Sequence, residues 1–427
     1  MKGIILIASL ALAAPATDLR AQSPSFKNSP AGLAEIKAGV PAGVSPAPEV
    51  SPPVRREWLI LVFISGVNDL GLMGYADKSI NSMENAGSSG KVTVLAEFGM
   101  LGSDPSTRNI RFQRGSKTLF IRKDTDPDAV TSPVIYASND TDMGSVEHLV
   151  RFVKRGLRRF PAEKVAVMIW DHGYGRKGLA YDDLSGNHIE VGQLGLAMSR
   201  IKRELGRNID IFAADACRMQ MAEVAYELKD SVSVVVGSEG NIPADSYPYA
   251  DILARLNADP GMPAEELGAS IVDAYGSYYA SDTISNITLS ALRTSALPGF
   301  LDLLNGWVRT VVSDPEAFKA ASSPATVDAA RNFLADNSKD LYDYLSVVDG
   351  LLPGAPAAVP AGAALRDYIS GRLIIRATDP PGTPRTHGLA VYIPDRIYNS
   401  GNYEQFAFAR DSLWDDFLRR MMEERLK

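Results

Sequence analysis

From Trp58 to Glu239 the chain alternates short apolar runs with amphipathic stretches of helical period. WLILVFISG (58–66) is continuously apolar and closed by Gly66, the pattern of a strand buried on both faces. KVTVLAEF (91–98), AVMIW (166–170), IDIFAAD (209–215) and VSVVVGSE (232–239) repeat it, with shorter β-like pieces at 109–113 and 118–122. Helical periodicity fills the intervals over 70–85, 144–159, 191–204 and 218–229. Repeated strand–helix–strand units with apolar strands predict an α/β fold with a mostly parallel sheet covered on both faces. Beyond Pro248 the pattern turns chiefly helical (264–279, 296–312, 325–350), with strand-like pieces near 285–291, 372–376 and 388–393. The Pro/Ala/Gly stretch 353–363 reads as a loop or hinge. The expected division is a catalytic core over 57–255 and an α-rich region over 256–427 that completes the core or packs on it.

The first residues follow a different grammar. Residues 1–21 join Lys2, a short apolar run and small residues around Ala14 and Ala16, which is the pattern of a secretory signal peptide. Residues 22–56 are rich in Pro, Ala and Ser and cannot bury enough apolar area to offset their ordering entropy, so they read as a linker or propeptide. No later segment is apolar over the length a membrane span needs. The expected location is therefore secreted or periplasmic, with no stable membrane insertion after the leader is removed.

Composition narrows the chemistry. Lys and Arg number 44 against 51 Asp and Glu, for a net charge of -7 with no strongly basic segment, which argues against nucleic acid as the main partner. The one Cys excludes an intramolecular disulfide, and four His leave no room for a zinc site built from several Cys and His. His148 and His188 read as surface helix or loop residues, and His387 as preceding a strand. A monomer is the default. A free thiol in an exported chain invites oxidation, so retaining one points to use of its chemistry; a packed Cys acting as a small hydrophobe is the bland alternative.

Two buried-looking strands end in groups able to perform nucleophilic catalysis. In VAVMIWDHGYG (165–175) His172 leaves the carboxyl end of a strand into a loop freed by Gly173 and Gly175. In IDIFAADACRMQ (209–220) Cys217 lies just past the end of the next strand, at the expected start of a helix. Reacting groups gather in the crevice outside the carboxyl ends of parallel strands. An imidazole there can take the thiol proton and later protonate a leaving amine. A helix beginning at 218 would lower the thiol pKa through its dipole, and the backbone N–H groups of Gly173 and Cys217 are candidate oxyanion donors.

These motifs, IWDHGYG and AADACRMQ, with GSEGNIPADSYPYADIL (237–253), DLYDYL (340–345), HGLAVYIPD (387–395) and YEQFAFARDSLWDDFL (403–418), resemble the clostripain family of cysteine peptidases, relatives of caspases, gingipains and legumains. His172 precedes Cys217, the order and approximate spacing of caspases rather than of papain-like enzymes. The resemblance implies a caspase-like α/β/α sandwich, a His172–Cys217 dyad forming a thioester, and cleavage of protein or peptide substrates after Arg and, less well, Lys. It implies Asp215 and Asp245 as the acidic groups that receive the basic side chain. Relatives often carry two acidic residues after Ser, where this chain has Ser238-Glu239-Gly240. Their usual Gly-Trp before Pro-Tyr reads Ser246-Tyr247 here.

Some relatives need calcium and mature by self-cleavage. Asp182 and Asp183 are accordingly candidate ligands for a hard cation, although a solvated turn is the favoured reading; no cofactor is expected for the chemistry itself. Arg55-Arg56 and Arg176-Lys177 are candidate self-processing sites, the first favoured. Two other readings stand beside the peptidase: an inactive exported binding protein of the same fold, and a peptidase with altered preference at the cleaved residue.

Overall fold

Strand β1 (Arg56–Ile64) shows why the sheet lies inside the protein. Trp58, Ile60, Val62 and Ile64 point into one apolar core, Leu59, Leu61 and Phe63 into another, and all seven are buried. A strand apolar on both faces is stable only with a layer above and a layer below. The computed structural model describes residues 55–103, 110–126, 129–280, 287–333, 337–352, 357–378, 386–395 and 397–426. The expected leader, and the expected linker up to Val54, lie outside them.

The main sheet also contains β2 (Val92–Ser103), β3 (Ile110–Phe120), β4 (Val134–Ser138), β5 (Ala162–Trp170), β8 (Ile209–Asp215), β9 (Val232–Gly237), β10 (Ser290–Arg293) and β12 (Ile374–Ala377). Two short antiparallel pairs lie outside it: β6 (Leu179–Asp182) with β7 (Asn187–Ile189), and β11 (Ser338–Asp340) with β13 (Ala390–Tyr392). The nine strands of the main sheet run in the order β12-β10-β9-β8-β5-β1-β2-β3-β4. The five from β9 to β2 are mutually parallel, and antiparallel strands flank them on both sides. Helices Val146–Arg159, Val191–Leu205 and Ala222–Leu228 cover one face, joined there by Leu297–Ser313. Tyr75–Ala86, Tyr249–Ala258 and Ala264–Tyr279 cover the other, giving the expected α/β/α sandwich. Since β10 and β12 both come from beyond residue 256, the C-terminal region builds part of the same sheet.

Three elements differ from their sequence patterns for identifiable reasons. The helix expected over 70–85 splits into Asp69–Leu72 and Tyr75–Ala86, because Gly74 between them takes φ +79, a left-handed conformation that interrupts a helix. The pattern over 325–350 reads as one helix but yields Pro324–Ala329, then β11, then Leu341–Gly350. Asp340 caps the last of these, accepting from the Asp343 N–H at 2.7 Å while its own strand pairs with β13. His148 is buried, correcting its reading as a surface residue: its Nε2 lies 2.9 Å from Glu97 on β2.

Glu97 is a charge inside the sheet, and its partners account for it. Ser116 donates to it at 2.7 Å, Thr118 donates as well, and Arg155 approaches at 3.3 Å. Burial alone would raise its carboxyl; the His148, Thr118 and Ser116 hydrogen bonds more than offset this and hold it below the usual range. Glu97→Ala should lower unfolding stability by about 3–5 kcal/mol, because it strands a buried His and Arg edge. The folded-state depression means the wild-type contribution is full above the unfolded carboxyl pKa and fades as pH falls through the folded one. Denaturant unfolding of both proteins between pH 3 and 7 checks this: the difference should shrink toward acid.

Candidate active site

Three neighbouring strands end in one row. Ile64 of β1 pairs with Trp170 of β5, and Trp170 pairs with Asp215 of β8. The chain leaves β1 for β2 on one side and returns to β5 on the other, so the crevice beyond these ends is a topological switch point. The loops there carry Asp69, His172 and Cys217. A pocket of about 170 Å³ opens among Leu70, Trp170, His172, Asp215, Cys217 and Ile242, with Asp171 and Ser246 also in its wall. Both sequence-predicted catalytic groups therefore line one cavity. Gly173 brings their loops together: a Cβ there would fall 2.4 Å from the Cys217 carbonyl oxygen and 2.9 Å from its nitrogen. Only glycine permits that approach.

The imidazole of His172 is oriented by a carboxylate that sequence reasoning missed. Its Nε2 lies 2.6 Å from Oδ1 of Asp69, the first residue of the short helix after β1. The hydrogen bond from His172 holds the Asp69 carboxyl below its usual range. The preceding residue, Asn68, fixes this segment to the His172 loop. Its Oδ1 accepts from the Leu70 N–H at 3.1 Å, and its Nδ2 donates to Ser65 O at 3.0 Å, to the Asp171 carboxylate and to Tyr181 O. Asp171 is fully buried; desolvation drives its carboxyl well above the usual range, against hydrogen bonds from the His172 backbone, Asn68 and Tyr181.

Cys217 departs from expectation in its local structure. The helix after it is Ala222–Leu228, not a helix from 218, and Cys217 sits in a turn in which Arg218 takes φ +63. The Arg218 N–H donates to Gly240 O at 2.8 Å, drawing the 238–246 loop over the turn. The Ile242 N–H then donates to Cys217 Sγ at 3.3 Å. With no helix terminus behind it, the thiol is governed by burial, which pushes its pKa up. The expected lowering by a helix dipole is absent, and the resting group is a thiol.

Asp215 lies at the buried wall of the pocket. Its Oδ2 receives the Ser246 hydroxyl, the Tyr249 hydroxyl at 2.8 Å and the Tyr247 N–H at 3.3 Å, while its Oδ1 has no hydrogen-bond partner. Burial raises its pKa to about 6, against those three donors. Ser246 takes φ +70, a left-handed conformation that favours Gly. The serine hydroxyl compensates by anchoring Asp215. Asp245 is not brought into this pocket: it is 57% exposed and faces Lys78 at 3.7 Å.

The sequence model of the Clostripain family (Peptidase_C11) matches residues 62–352. The chain belongs to the clostripain family. It is a cysteine peptidase, a hydrolase acting on peptide bonds, and its fold is that of the solved C11 proteases. An inhibitor complex of a secreted C11 cysteine protease from Bacteroides thetaiotaomicron matches at 20% identity, covering 84% of this chain and 99% of that one with a TM-score of 0.61. An inactive zymogen C11 protease from Parabacteroides distasonis matches at 18% identity, covering 84% and 99%, with a TM-score of 0.62. The B. thetaiotaomicron protease called iotapain matches at 15%, covering 84% and 100%, with a TM-score of 0.64. No protein of curated function matches the sequence.

Within this clostripain-family framework the remaining candidates have structural roles. Asp182 is buried, and its carboxylate accepts from the Met143 N–H at 2.8 Å, the Leu184 N–H at 2.9 Å and the Ser185 N–H at 3.0 Å. Its Oδ1 serves the turn between β6 and β7 and its Oδ2 holds the segment before the Val146–Arg159 helix, Asp183 beside it is exposed, and among the described residues no group of three or more potential ligands converges on a metal. The Asp182–Asp183 pair thus does not fit a calcium site. His188 stacks on Tyr181 with ring centroids 4.6 Å apart. His387 contacts Asp340 through Nδ1 at 3.2 Å and stacks on Tyr342. Arg176 lies 4.2 Å above the Tyr392 ring within the tight turn Gly175–Lys177. Asp69 was readable in principle, since ISGVND places it just beyond the first buried strand; Ser246 and Ile242 gave no such signal, because they reach the pocket only through a long loop.

Gly173→Ala should reduce kcat/KM by about 100-fold, since a displacement near 1 Å in a reacting group has that effect. The comparison to make is kcat/KM against Tm for wild type and variant. A large fall in activity is expected at temperatures where the variant is still folded, and its Tm should fall too, because the added Cβ also meets the buried Ala216 methyl at 2.9 Å.

Proposed function

We propose that this clostripain-family peptidase cleaves on the carboxyl side of basic residues through a thioester on Cys217. The observation that carries this reading is the orphaned Oδ1 of buried Asp215 in the wall of the pocket that Cys217 and His172 share. An unpaired buried carboxylate oxygen costs free energy until a donor completes it, and a cationic donor does so most strongly. A substrate guanidinium or ammonium supplies that partner. Because Oδ2 is already taken by three donors, one oxygen remains, which suits a single charge-assisted hydrogen bond and admits Lys beside Arg. Asp245, ion-paired outside the pocket, would act at most on the rim.

The chemistry follows from the groups in place. His172 takes the Cys217 proton as the sulfur attacks the scissile carbonyl carbon, and the carbonyl electrons move to oxygen. The backbone N–H groups of Gly173 and Cys217 are the candidate donors to that oxyanion. Collapse breaks the C–N bond, and the proton on His172 goes to the leaving amine. Water, deprotonated by His172, then attacks the thioester; the acid leaves and the thiol is restored. The Ile242 N–H, which donates to Sγ at 3.3 Å, favours the thiolate that attacks.

The leader-like residues 1–21 support export to the periplasm or beyond. No helix among the described residues is long and apolar enough to cross a membrane. Self-processing beside Arg55-Arg56 is consistent with the fold, because β1 begins at Arg56 and a cut after Arg55 leaves the strand whole. The turn around Arg176 is a poorer substrate, being docked on Tyr392. Wild type and Cys217→Ala should therefore mature with different N-termini, and identical termini would refute self-processing.

Hydrolysis of matched fluorogenic peptides ending in Arg, Lys, Asp or Ala tests the whole reading. Arg and Lys peptides should be cleaved, Cys217→Ala should abolish this, and Asp215→Asn should raise KM for basic peptides. In wild type KM should climb as pH falls through about 6, where Asp215 takes up a proton and loses its attraction for a cation. Equal cleavage after Asp or Ala would remove the assigned specificity, and no thiol-dependent cleavage at all would favour an inactive binding protein.

A further inference from the structure

The contact between Asp69 and His172 decides which ring nitrogen does the chemistry. Asp69 Oδ1 stands 2.6 Å from Nε2, and the hydrogen bond from the imidazole holds this carboxyl below its usual range, so at neutral pH it is ionised. An ionised carboxylate only accepts hydrogen bonds. Nε2 must therefore carry a proton, and in the neutral ring the lone pair resides on Nδ1. The arrangement is built rather than incidental. Asn68, buried beside Asp69, is tied at one end to the first turn of the Asp69 helix and at the other to Asp171 and Tyr181 of the His172 loop. Asp171 in turn accepts from the His172 backbone N–H. Two separate links thus hold the loop after β1 against the loop after β5.

We propose that Asp69 is the positioning residue of the catalytic histidine: it fixes the ring orientation and the Nε2–H tautomer of His172, which makes Nδ1 the atom that takes the Cys217 proton and returns it to the leaving amine. This rests on His172 acting as the base in the proposed function. Asp69 touches neither the substrate bond nor the thiol; it acts through the imidazole. When His172 becomes cationic during acyl transfer, the Asp69 carboxylate also stabilises that charge, as a triad carboxylate does. Because Asp69 is 58% exposed, its effect is smaller than that of a buried partner.

The test joins a spectroscopic readout to kinetics. With only four His in the chain, ¹⁵N-labelled imidazoles can be assigned by comparison with His172→Ala. Wild type at neutral-ring pH should show a protonated Nε2 and a bare Nδ1 at His172. Asp69→Ala should redistribute that signal between tautomers and lower kcat by about 10- to 100-fold with KM nearly constant, below the roughly 10⁴-fold seen when a buried triad carboxylate is changed. Asp69→Asn, whose amide can turn its NH2 instead of its oxygen to the ring, should likewise redistribute the tautomers and lower kcat. An unchanged ring spectrum in Asp69→Ala, an unchanged or increased kcat, or an effect confined to KM would each overturn the proposal. A wild-type protein that cleaves no peptide would instead defeat the proposed function, while the ring spectrum would still decide whether Asp69 sets the tautomer.

Discussion

The register of three parallel strands is the constraint from which the candidate active site follows. Ile64, Trp170 and Asp215 lie side by side at the ends of β1, β5 and β8, so whatever each strand carries next is delivered to the same edge of the sheet. Two residues past one end is His172, two past the next is Cys217, and five past the third is Asp69. A slip of one residue in any of these pairings would turn the strand's side chains to opposite faces. The two apolar cores forbid that, because Trp58, Ile60, Val62 and Ile64 fit one helical layer and Leu59, Leu61 and Phe63 the other. Core packing thus sets catalytic geometry from a distance.

The second theme is burial acting on ionisable groups in opposite directions. Glu97 is buried yet held ionised by His148, Thr118 and Ser116, and it serves the fold. Asp215 is buried and Cys217 partly buried, with too few partners to offset desolvation, and both are raised. Raised carboxyls are not confined to the pocket, since burial raises Glu223 and Glu239 as well; what sets Asp215 apart is its place in the wall of the cavity that His172 and Cys217 line. A fully partnered carboxylate stabilises the sheet, whereas a partly partnered one retains capacity for a ligand. Ser246 illustrates the balance: it occupies a left-handed position that favours Gly, and its hydroxyl orients Asp215 while occupying one of the two carboxylate oxygens.

Much of this was legible in the residues. Continuous apolar strands such as WLILVFI and IDIFAA announced a doubly covered sheet, and DHG and DAC at strand ends announced where imidazole and thiol would meet. Local periodicity failed where tertiary context governs. The pattern over 325–350 could not show that Asp340 would cap a helix while β11 paired with β13, nor could the residues after Cys217 show that a turn with Arg218 at positive φ precedes the helix. Motif matching named both Asp215 and Asp245, but only the fold separates a buried carboxylate at the pocket wall from an exposed one beside Lys78. His148 looked like a surface helix residue because its buried partner, Glu97, is far away in sequence.

The central claim is that Cys217 reacts with substrates selected by the Asp215 carboxylate. It is tested most directly by incubating the purified protein with peptide-based irreversible inhibitors that differ only in the residue beside the reactive group, Arg, Lys, Asp or Ala, and locating the adduct by mass spectrometry. The account predicts one adduct, on Cys217, formed with Arg and Lys and much slower with Asp or Ala, and a loss of that preference in Asp215→Asn. Labelling of Cys217 at equal rates by all four, or no labelling by the basic pair, would contradict it.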